Sequence, residues 1–286
     1  TGKVTLLDAL TVGSQGTVSI GRGGTLQLLW SYTETFDPPS VTWSDPTVTG
    51  DIANDGRLYF GRAAATTYGG VISGSGSVVK AGDALLTFSG NHTLSGTYTV
   101  SSGELRVDGS TAAASRLLVQ NAGRLSGTGT IGGPTTIAGT LSPGHSPGVL
   151  AFGDTLEFAA GGGLFWELVG NTSLVTPTPT FDRVIVAGDL TFGGSNVLAL
   201  AFAGTDSQVD WSDPFWASDQ AWTIFDVADG RSTVGSTGMS IAASDWLDSR
   251  GATLSSLRAG SFSLAIEGND VRLLYTLTPV PEPSSI

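Results

Sequence analysis

The residues that could carry chemistry in this chain of 286 residues are few and scattered. The chain has two histidines, His92 in the stretch GNHTLSG and His145 in SPGHSPG. Neither has a neighbouring serine or carboxylate at a spacing that specifies a catalytic triad. We therefore predict that both histidines are exposed turn residues. The chain contains no cysteine, which excludes disulfides, thiol nucleophiles and thiolate metal sites.

The carboxylates between residues 50 and 150 are isolated from one another in the sequence: Asp51, Asp55, Asp83, Glu104 and Asp108. A polysaccharide lyase or hydrolase needs acids, lysines or arginines clustered along one face. We predict that these carboxylates cap corners or face solvent, and that the chain is not an enzyme. A structure that brings Asp51, Asp55 and Asp108 within a few ångström of one another would favour an enzyme instead.

A second group of acids lies in the stretch 206–229: Asp206, Asp210, Asp213, Asp219, Asp226 and Asp229. The nonapeptide calcium-roll pattern and the EF-hand loop are both absent from the sequence. An exposed acidic loop is the favoured interpretation, calcium binding is the weaker alternative, and no other cofactor is expected.

Two copies of the tetrapeptide WSDP begin at Trp43 and Trp211, and Trp216 follows the second copy. Aromatic rings of this kind pack under irregular loops, form protein interfaces or stack on pyranose rings. Packing is the favoured interpretation. Contact with a partner or a second copy, and contact with a glycan, are the alternatives.

Composition indicates what fold must position these residues. Glycine accounts for 41 residues, charged residues are only 13%, and hydrophobic residues reach 40%, which favours short strands joined by tight turns around a real core. The net charge of −12 comes without any lysine or arginine cluster, so nucleic acid and anionic membrane surfaces are not expected partners. No apolar run reaches the ~18 residues that a spanning helix needs.

The first half of the chain repeats one pattern at roughly 20 to 30 residues: alternating apolar residues, a Gly, Asn or Ser corner, then another short strand. In strands stacked about 4.8 Å apart, equivalent positions form columns of side chains, and neutral side chains in a column do not repel one another. Glycine at the corners adopts the backbone conformations that tight turns require. We predict an all-β fold with a parallel β-helix over 1–150 and an irregular insertion at 30–50. Residues 151–279 are predicted to form a C-terminal β region, as wide rungs or as a sandwich-like cap, with one helical turn around Pro214 to Ser218.

Residues 50–109 resemble the passenger-associated repeat of autotransporter-type secreted proteins. The resemblance rests on I-x-N-x-G-x-L from Ile52, Y-x-G-x-I-S-G-S-G from Tyr68 and L-x-x-S-G from Leu86. The stretches GTLSPGHSPGVLAFGDTLEF (139–158) and FDRVIVAGDLTFGG (181–194) are similar to other parts of the same families. The resemblance implies a right-handed parallel β-helix on the cell exterior.

The tail resembles the sorting signature of PEP-CTERM proteins. These are proteins of Gram-negative bacteria whose C-terminal signal is recognised by an exosortase. The signature residues are Val280, Pro281, Glu282, Pro283 and Ser284. In that family a membrane helix and an arginine-rich end follow the signature, whereas this sequence stops at Ile286. The resemblance implies secretion and sorting to the envelope, with membrane contact only through a removed or missing anchor.

The sequence therefore predicts a non-enzymatic, extracellular or surface structural protein that assembles head-to-tail into filaments or a biofilm matrix layer. The residues predicted for self-association lie in an apolar N-terminal strand that lacks a polar cap: Val4, Leu6, Leu7, Leu10 and Val12. The first alternative is a glycan-binding adhesin or exopolysaccharide-associated module. The second is a polysaccharide lyase or hydrolase. The expected partner is thus a second copy of the chain or an exopolysaccharide.

Overall fold

The structure is a computed structural model that describes residues 3–6, 17–29, 31–36, 39–44, 49–62, 64–204, 206–234 and 238–278. Its side chains are described in 17–28 and, from residue 49 onward, throughout those ranges. Almost every element in them is a strand, and most strand pairs are parallel. The prediction of an all-β fold with long parallel sheets is confirmed. No helix in the described ranges is long and apolar enough to cross a lipid bilayer.

The largest sheet has two arms that share two long, bent strands, β12 (Thr97–Val107) and β13 (Arg116–Gly127). The first arm contains the first halves of both strands and is parallel throughout. Its other strands are β1 (Lys3–Leu6), β3 (Thr25–Leu29), β7 (Arg57–Gly61), β10 (Ser77–Ala81), β15 (Thr135–Ile137), β18 (Leu156–Phe158), β21 (Leu190–Phe192) and β24 (Thr233–Val234).

The second arm contains the second halves of β12 and β13 and is also parallel. Its other strands are β8 (Thr66–Tyr68), β11 (Leu86–Phe88), β16 (Thr140–Pro143), β19 (Gly163–Glu167), β22 (Asn196–Ala201) and β25 (Met239–Ile241). β12 and β13 bend at the corner between the arms, where their pairing register shifts between Val100 and Ser102. A β-bulge of this kind turns a strand from one face to the next.

The remaining strands form a third face and one hairpin. The third face begins with β2 (Thr17–Ile20), β6 (Asp51–Asn54) and β9 (Ile72–Ser73). It continues with β14 (Thr130–Ile131), β17 (Val149–Phe152), β20 (Arg183–Val186) and β23 (Gln220–Val227), and ends in antiparallel β27 (Asp270–Leu277) and β26 (Gly260–Glu267). Within the predicted insertion 30–50, β4 (Ser31–Phe36) and β5 (Pro39–Ser44) form an antiparallel pair.

From β6 to β25 the chain passes through the third face, the first arm and the second arm in turn, and then repeats that order; we call each pass a coil. The middle coils align residues about twenty positions apart, as in the pairs Ile52↔Ile72 and Leu58↔Val78. The offset grows to 34 in Val149↔Arg183 and to 43 in Leu190↔Thr233. Because side chains alternate along a strand, every second residue of a coil points to the interior. The buried residues form one continuous apolar cluster from Ile20 to Tyr275.

Glycine corners allow neighbouring coils to approach closely. A Cβ atom on Gly96 would lie 1.7 Å from the carbonyl oxygen of Gly76 on the preceding coil. Gly103 has a φ of +65°, and a Cβ there would lie 2.2 Å from the carbonyl oxygen of Gly82. Only glycine fits at such positions. The glycine content is therefore a requirement of the stacking distance.

Buried aromatic residues fill the interior of the C-terminal coils. The predicted helical turn is confirmed as a 3-10 helix over Pro214–Ala217, in which Asp213 Oδ1 accepts a hydrogen bond from the Phe215 N–H at 2.8 Å. Trp211 and Trp216 are 0% exposed, with ring centroids 4.6 Å apart. A short α-helix, α1 (Leu254–Leu257), lies before β26. Trp211 and Trp216 therefore pack in the core and present no surface to a partner. The side chain of Trp43, the third predicted contact residue, is not among the side chains that the structure describes.

Candidate functional site

Three of the carboxylates predicted at corners, Asp51, Asp55 and Asp108, are each bound to the next coil. Asp51 Oδ1 accepts from the Val71 N–H at 2.8 Å, and Asp108 Oδ1 accepts from the Thr128 N–H at 3.3 Å. Asp55 Oδ1 accepts from the Ser75 N–H and hydroxyl, both at 2.9 Å, and these bonds lower the pKa of Asp55. The prediction that these three carboxylates cap corners is confirmed.

The two histidines occupy opposite environments. His145 is half exposed, as predicted, and its Nε2 lies 2.6 Å from Asp108 Oδ1. The prediction of exposure was wrong for His92, which is 2% exposed. The stretch GNHTLSG continues the alternation of the third face, so that His92 and Leu94 point inward while Asn91 and Thr93 point outward.

The SPGHSPG loop is held by buried carboxylates that the sequence analysis missed. The Ser146 hydroxyl donates to Glu167 Oε1 at 2.8 Å, and the Gly148 N–H donates to Asp182 Oδ1 at 2.8 Å. Asp182 Oδ2 accepts from the Glu167 N–H at 3.1 Å, and burial raises the pKa of Asp182. The available signal was an acid next to apolar strand residues, in LFWELV and FDRVIV.

Beside this loop, a row of charged and hydroxyl side chains follows the outer side of the second arm. Arg106 lies 3.4 Å from Glu104, whose other hydrogen-bond partner is the Ser126 hydroxyl. The Arg124 guanidinium donates to Ser142 Oγ at 2.6 Å and lies 3.9 Å from Glu104. The row combines two cations with one carboxylate, in a chain whose net charge is −12.

Arg124 also borders the hollow that we call the lateral groove, at the corner between the two arms. Its guanidinium carbon lies 5.2 Å from the centroid of the Phe165 ring, which is within cation–π range. The groove has a volume of about 430 Å³ and is lined by Asn121, Arg124, Ala138, Gly139, Thr140, Gly161, Gly163, Leu164, Phe165, Val197 and Ala199. A second hollow of about 480 Å³ adjoins it through Asn121 and Ala138 and adds Gln120.

The lateral groove therefore offers hydrogen-bonding amides, a cation and an aromatic ring over a floor of small residues. In the neighbouring SPGHSPG loop, the Ser146 hydroxyl donates to Glu167, and His145 Nε2 lies against Asp108. The groups of the lateral groove are suited to holding a ligand by stacking and hydrogen bonds.

Most of the acids of residues 206–229 are bound to separate partners. Asp210 accepts from Ser212 and Arg250, Asp219 accepts from the Leu277 N–H, and Asp226 pairs with Arg183. Within the described ranges, no group of three or more His, Cys, Asp or Glu side chains is arranged to hold a metal ion.

The other predicted sites lie where the structure describes no side chains. Lys3–Leu6 is described as the backbone of strand β1, whereas Leu7, Leu10 and Val12 lie outside the described residues. The sorting signature Val280, Pro281, Glu282, Pro283 and Ser284 lies outside them as well.

Comparison with known proteins finds local similarity to two secreted proteins. The chain is 43% identical over 84 residues to the adhesin BmaC autotransporter of Brucella suis, and 40% identical over 80 residues to an extracellular serine protease of Serratia marcescens. Each match covers 28% of this chain, and they cover 2% and 8% of the two relatives. The chain thus spans a small part of the length of either protein. It matches no family model.

Proposed function

We propose that this chain is a passenger-like, right-handed parallel β-helix that serves as a secreted or cell-surface structural protein of a Gram-negative bacterium. The observation that carries the proposal is the stack of coils, in which each pass pairs in parallel with the one before it, at an offset of about twenty residues in the middle coils and of 34 to 43 residues in the C-terminal ones. The right hand follows from the resemblance to passenger repeats and from the general preference of parallel crossover connections. The partial matches to an autotransporter adhesin and an extracellular protease support the location.

A structural role suits what the coils provide. Ten strands follow one another in the first arm, so the stack is roughly 40 Å long at ~4.8 Å per strand. Polar groups such as the corner carboxylates Asp51, Asp55 and Asp108 bind the next coil. Such a stack provides rigid length and surface, and we propose that it assembles head-to-tail into filaments or a matrix layer, without enzymatic activity.

The test is immunogold electron microscopy of intact cells of the native source, with antibody raised against the full chain. We expect label on the cell exterior, in filaments or in a layer between cells. Label confined to lysed cells would contradict a surface role.

Sorting by an exosortase is part of the proposal and rests on residues 280–284. The intact mass of the chain recovered from the native envelope gives its C-terminus directly. A mass that ends within or just after the Pro-Glu-Pro signature supports processing there, and a mass that retains a longer, unmodified tail contradicts it.

The lateral groove favours a second candidate function, a glycan-binding adhesin. Arg124 above the Phe165 ring, with the amide of Asn121 beside them, is a combination that stacks on a sugar ring and binds its hydroxyls. The test is a glycan array probed with the wild-type chain, with Phe165→Ala and, as a matched control, with Ile185→Ala on the third face. Binding that Phe165→Ala loses and Ile185→Ala retains supports this function, and binding unchanged in both variants rules out the groove.

A further inference from the structure

We infer that the C-terminal end of the stack is the surface that receives the N-terminal end of a second copy of this chain. This inference rests on the self-assembly proposed above and specifies the joint. It follows from three features of the two ends: an open apolar hollow, strand edges of matching direction, and opposite charge at the same corner.

The first feature is a hollow of about 450 Å³ between strands β21 and β25 and the β26–β27 hairpin, which we call the C-terminal mouth. None of the described residues that line it is charged. Core-facing residues of the last coils form its walls, among them Phe192, Met239 and Ile241. Ile266, which also lines it, is 42% exposed, and Val234 on β24 is 55% exposed. Within the described part of the chain, apolar side chains at this end are thus only partly covered.

The second feature is the direction of the outer strands of the described stack. The first arm is parallel from β1 at one end to β24 at the other, and each of these two strands has one described partner. β26 is antiparallel to β27, which is antiparallel to β23, so β26 runs in the same direction as β23. The strands of a second copy stacked in the same orientation would therefore run parallel to both β24 and β26.

β26 also lacks the devices that protect natural strand edges. Its eight residues pair with β27 without a register shift, and they include no lysine and no proline. Its one charged residue, Glu267, stands at its end. A regular, nearly uncharged outer strand is a surface on which another strand adds.

The third feature is charge at the corner between the third face and the first arm. At the N-terminal end this corner contains exposed Arg22 in the turn between β2 and β3, and the backbone of Lys3 pairs beside it with Thr25. At the C-terminal end the same corner carries Asp229 and Asp270 in an acidic hollow of about 390 Å³.

Two further carboxylates line that acidic hollow, Asp226 and Glu267. They already pair with Arg183 and Arg272. Asp270 Oδ1 accepts only a backbone bond, from the Val227 N–H. The hollow therefore offers carboxylate charge to a cation from outside, and a stacked copy would bring the Arg22 turn to it.

These features favour a second copy over a different partner, because the strand direction of one end matches that of the other end of the same chain and the charges of the two ends are opposite. An interface between two different ends of one chain is heterologous and does not close on itself, so repetition produces an open filament.

The apolar part of the joint is tested with the full chain carrying Ile266→Lys, in sedimentation velocity over a range of concentrations and in negative-stain electron microscopy. The matched control is Ile185→Lys, which places the same change on the side of the stack at an isoleucine that is 37% exposed. We expect wild type and Ile185→Lys to assemble alike, and Ile266→Lys to need at least a tenfold higher concentration. Circular dichroism and the Tm establish that both variants fold.

The charged part is tested by exchange of the partners. Arg22→Glu and Asp229→Arg are each expected to weaken assembly, and this weakening should be smaller at high salt because salt screens the charges. The double variant is expected to recover most of the wild-type assembly. Filaments that form equally well in Ile266→Lys and in both charge variants would overturn this joint while leaving self-assembly intact. A wild-type chain that stays monomeric at all concentrations would refute the proposed self-assembly itself.

Discussion

Acidification should destabilise this protein through one buried side chain, His92. Its ring lies inside the stack against Tyr68, Phe88 and Tyr98, with centroids 6.0, 4.6 and 6.4 Å away. Its Nδ1 accepts a hydrogen bond from the Ile72 N–H at 3.0 Å, so a proton on Nδ1 would face another donor. The titratable groups packed around it are the two tyrosines, and burial raises the pKa of both.

The magnitude follows from the pKa of His92, which burial lowers from 6.5 to about 4. Above pH 6.5 the imidazole is neutral in both the folded and the unfolded chain, and it contributes no pH dependence. Between pH 6.5 and pH 4 the unfolded chain binds a proton that the folded chain does not, so the free energy of unfolding falls as the pH falls. At 1.36 kcal/mol per pKa unit, the loss is about 1.4 kcal/mol at pH 5.5 and about 3 kcal/mol at pH 4.

The assay is urea unfolding at pH 7, 5.5 and 4, for the wild type and for His92→Asn. Asparagine does not titrate in this range, and its carbonyl oxygen can accept the Ile72 N–H. The variant has a lower free energy of unfolding at pH 7 because its smaller side chain leaves a cavity. Its further loss down to pH 4 should be about 3 kcal/mol smaller than that of the wild type.

The control is His145→Asn, which removes the other histidine of the chain from an exposed loop. This variant should keep the acid sensitivity of the wild type. The reasoning is refuted if His92→Asn and wild type lose the same free energy between pH 7 and pH 4, or if the His92 ring titrates near pH 6.5 in NMR.

Further substitutions test how the coils are joined. Gly96→Ala places a Cβ atom against the Gly76 carbonyl and should lower the free energy of unfolding, measured by urea unfolding, by about 3 kcal/mol. The control is Gly21→Ala, whose Cβ would have no atom within 4 Å and which should change the free energy of unfolding by less than about 0.5 kcal/mol. Lys80→Met removes the buried ammonium that donates to the carbonyls of Ala81, Gly82 and Ser102, and should cost about 1 to 3 kcal/mol by the same assay. Asp182→Asn turns an amide N–H₂ toward one of the two backbone donors, the Gly148 and Glu167 N–H groups, and should lower the free energy of unfolding by about 1 to 3 kcal/mol. The SPGHSPG loop should then be cut faster by a protease. Equal proteolysis of variant and wild type would contradict the anchoring role.

Much of the fold could be predicted from local patterns. Glycines such as Gly74, Gly76 and Gly96 lie at corners because the chain must turn there, and alternating segments such as RLYFG lie between them as strands. The helical turn after Trp211 follows from Asp213 and Pro214, because Asp is favoured at the N-cap of a helix and Pro at its first position. The same patterns misplaced His92, because the residues around it look like a corner although the third face continues through them.

The candidate site could not be predicted in this way. Arg124 and Phe165 are 41 positions apart in number, and Gly148 and Asp182 are 34 apart, so neither pair leaves a motif in the sequence. Their contacts depend on how many residues each corner and loop contributes between coils. A shift of one residue in β13 or in β19 would turn Arg124 or Phe165 to the opposite face and separate these two side chains.

The sequence by itself therefore determined the features that depend on neighbouring residues: the alternation that makes strands, the glycines that make corners, and the near absence of reactive groups. Tertiary structure decided the features that depend on the register between coils. Those are the buried histidine, the carboxylates that hold the SPGHSPG loop, the lateral groove and the open C-terminal mouth. The physical reason is that a strand sets the direction of its own side chains, whereas the strands stacked above and below it set what those side chains meet.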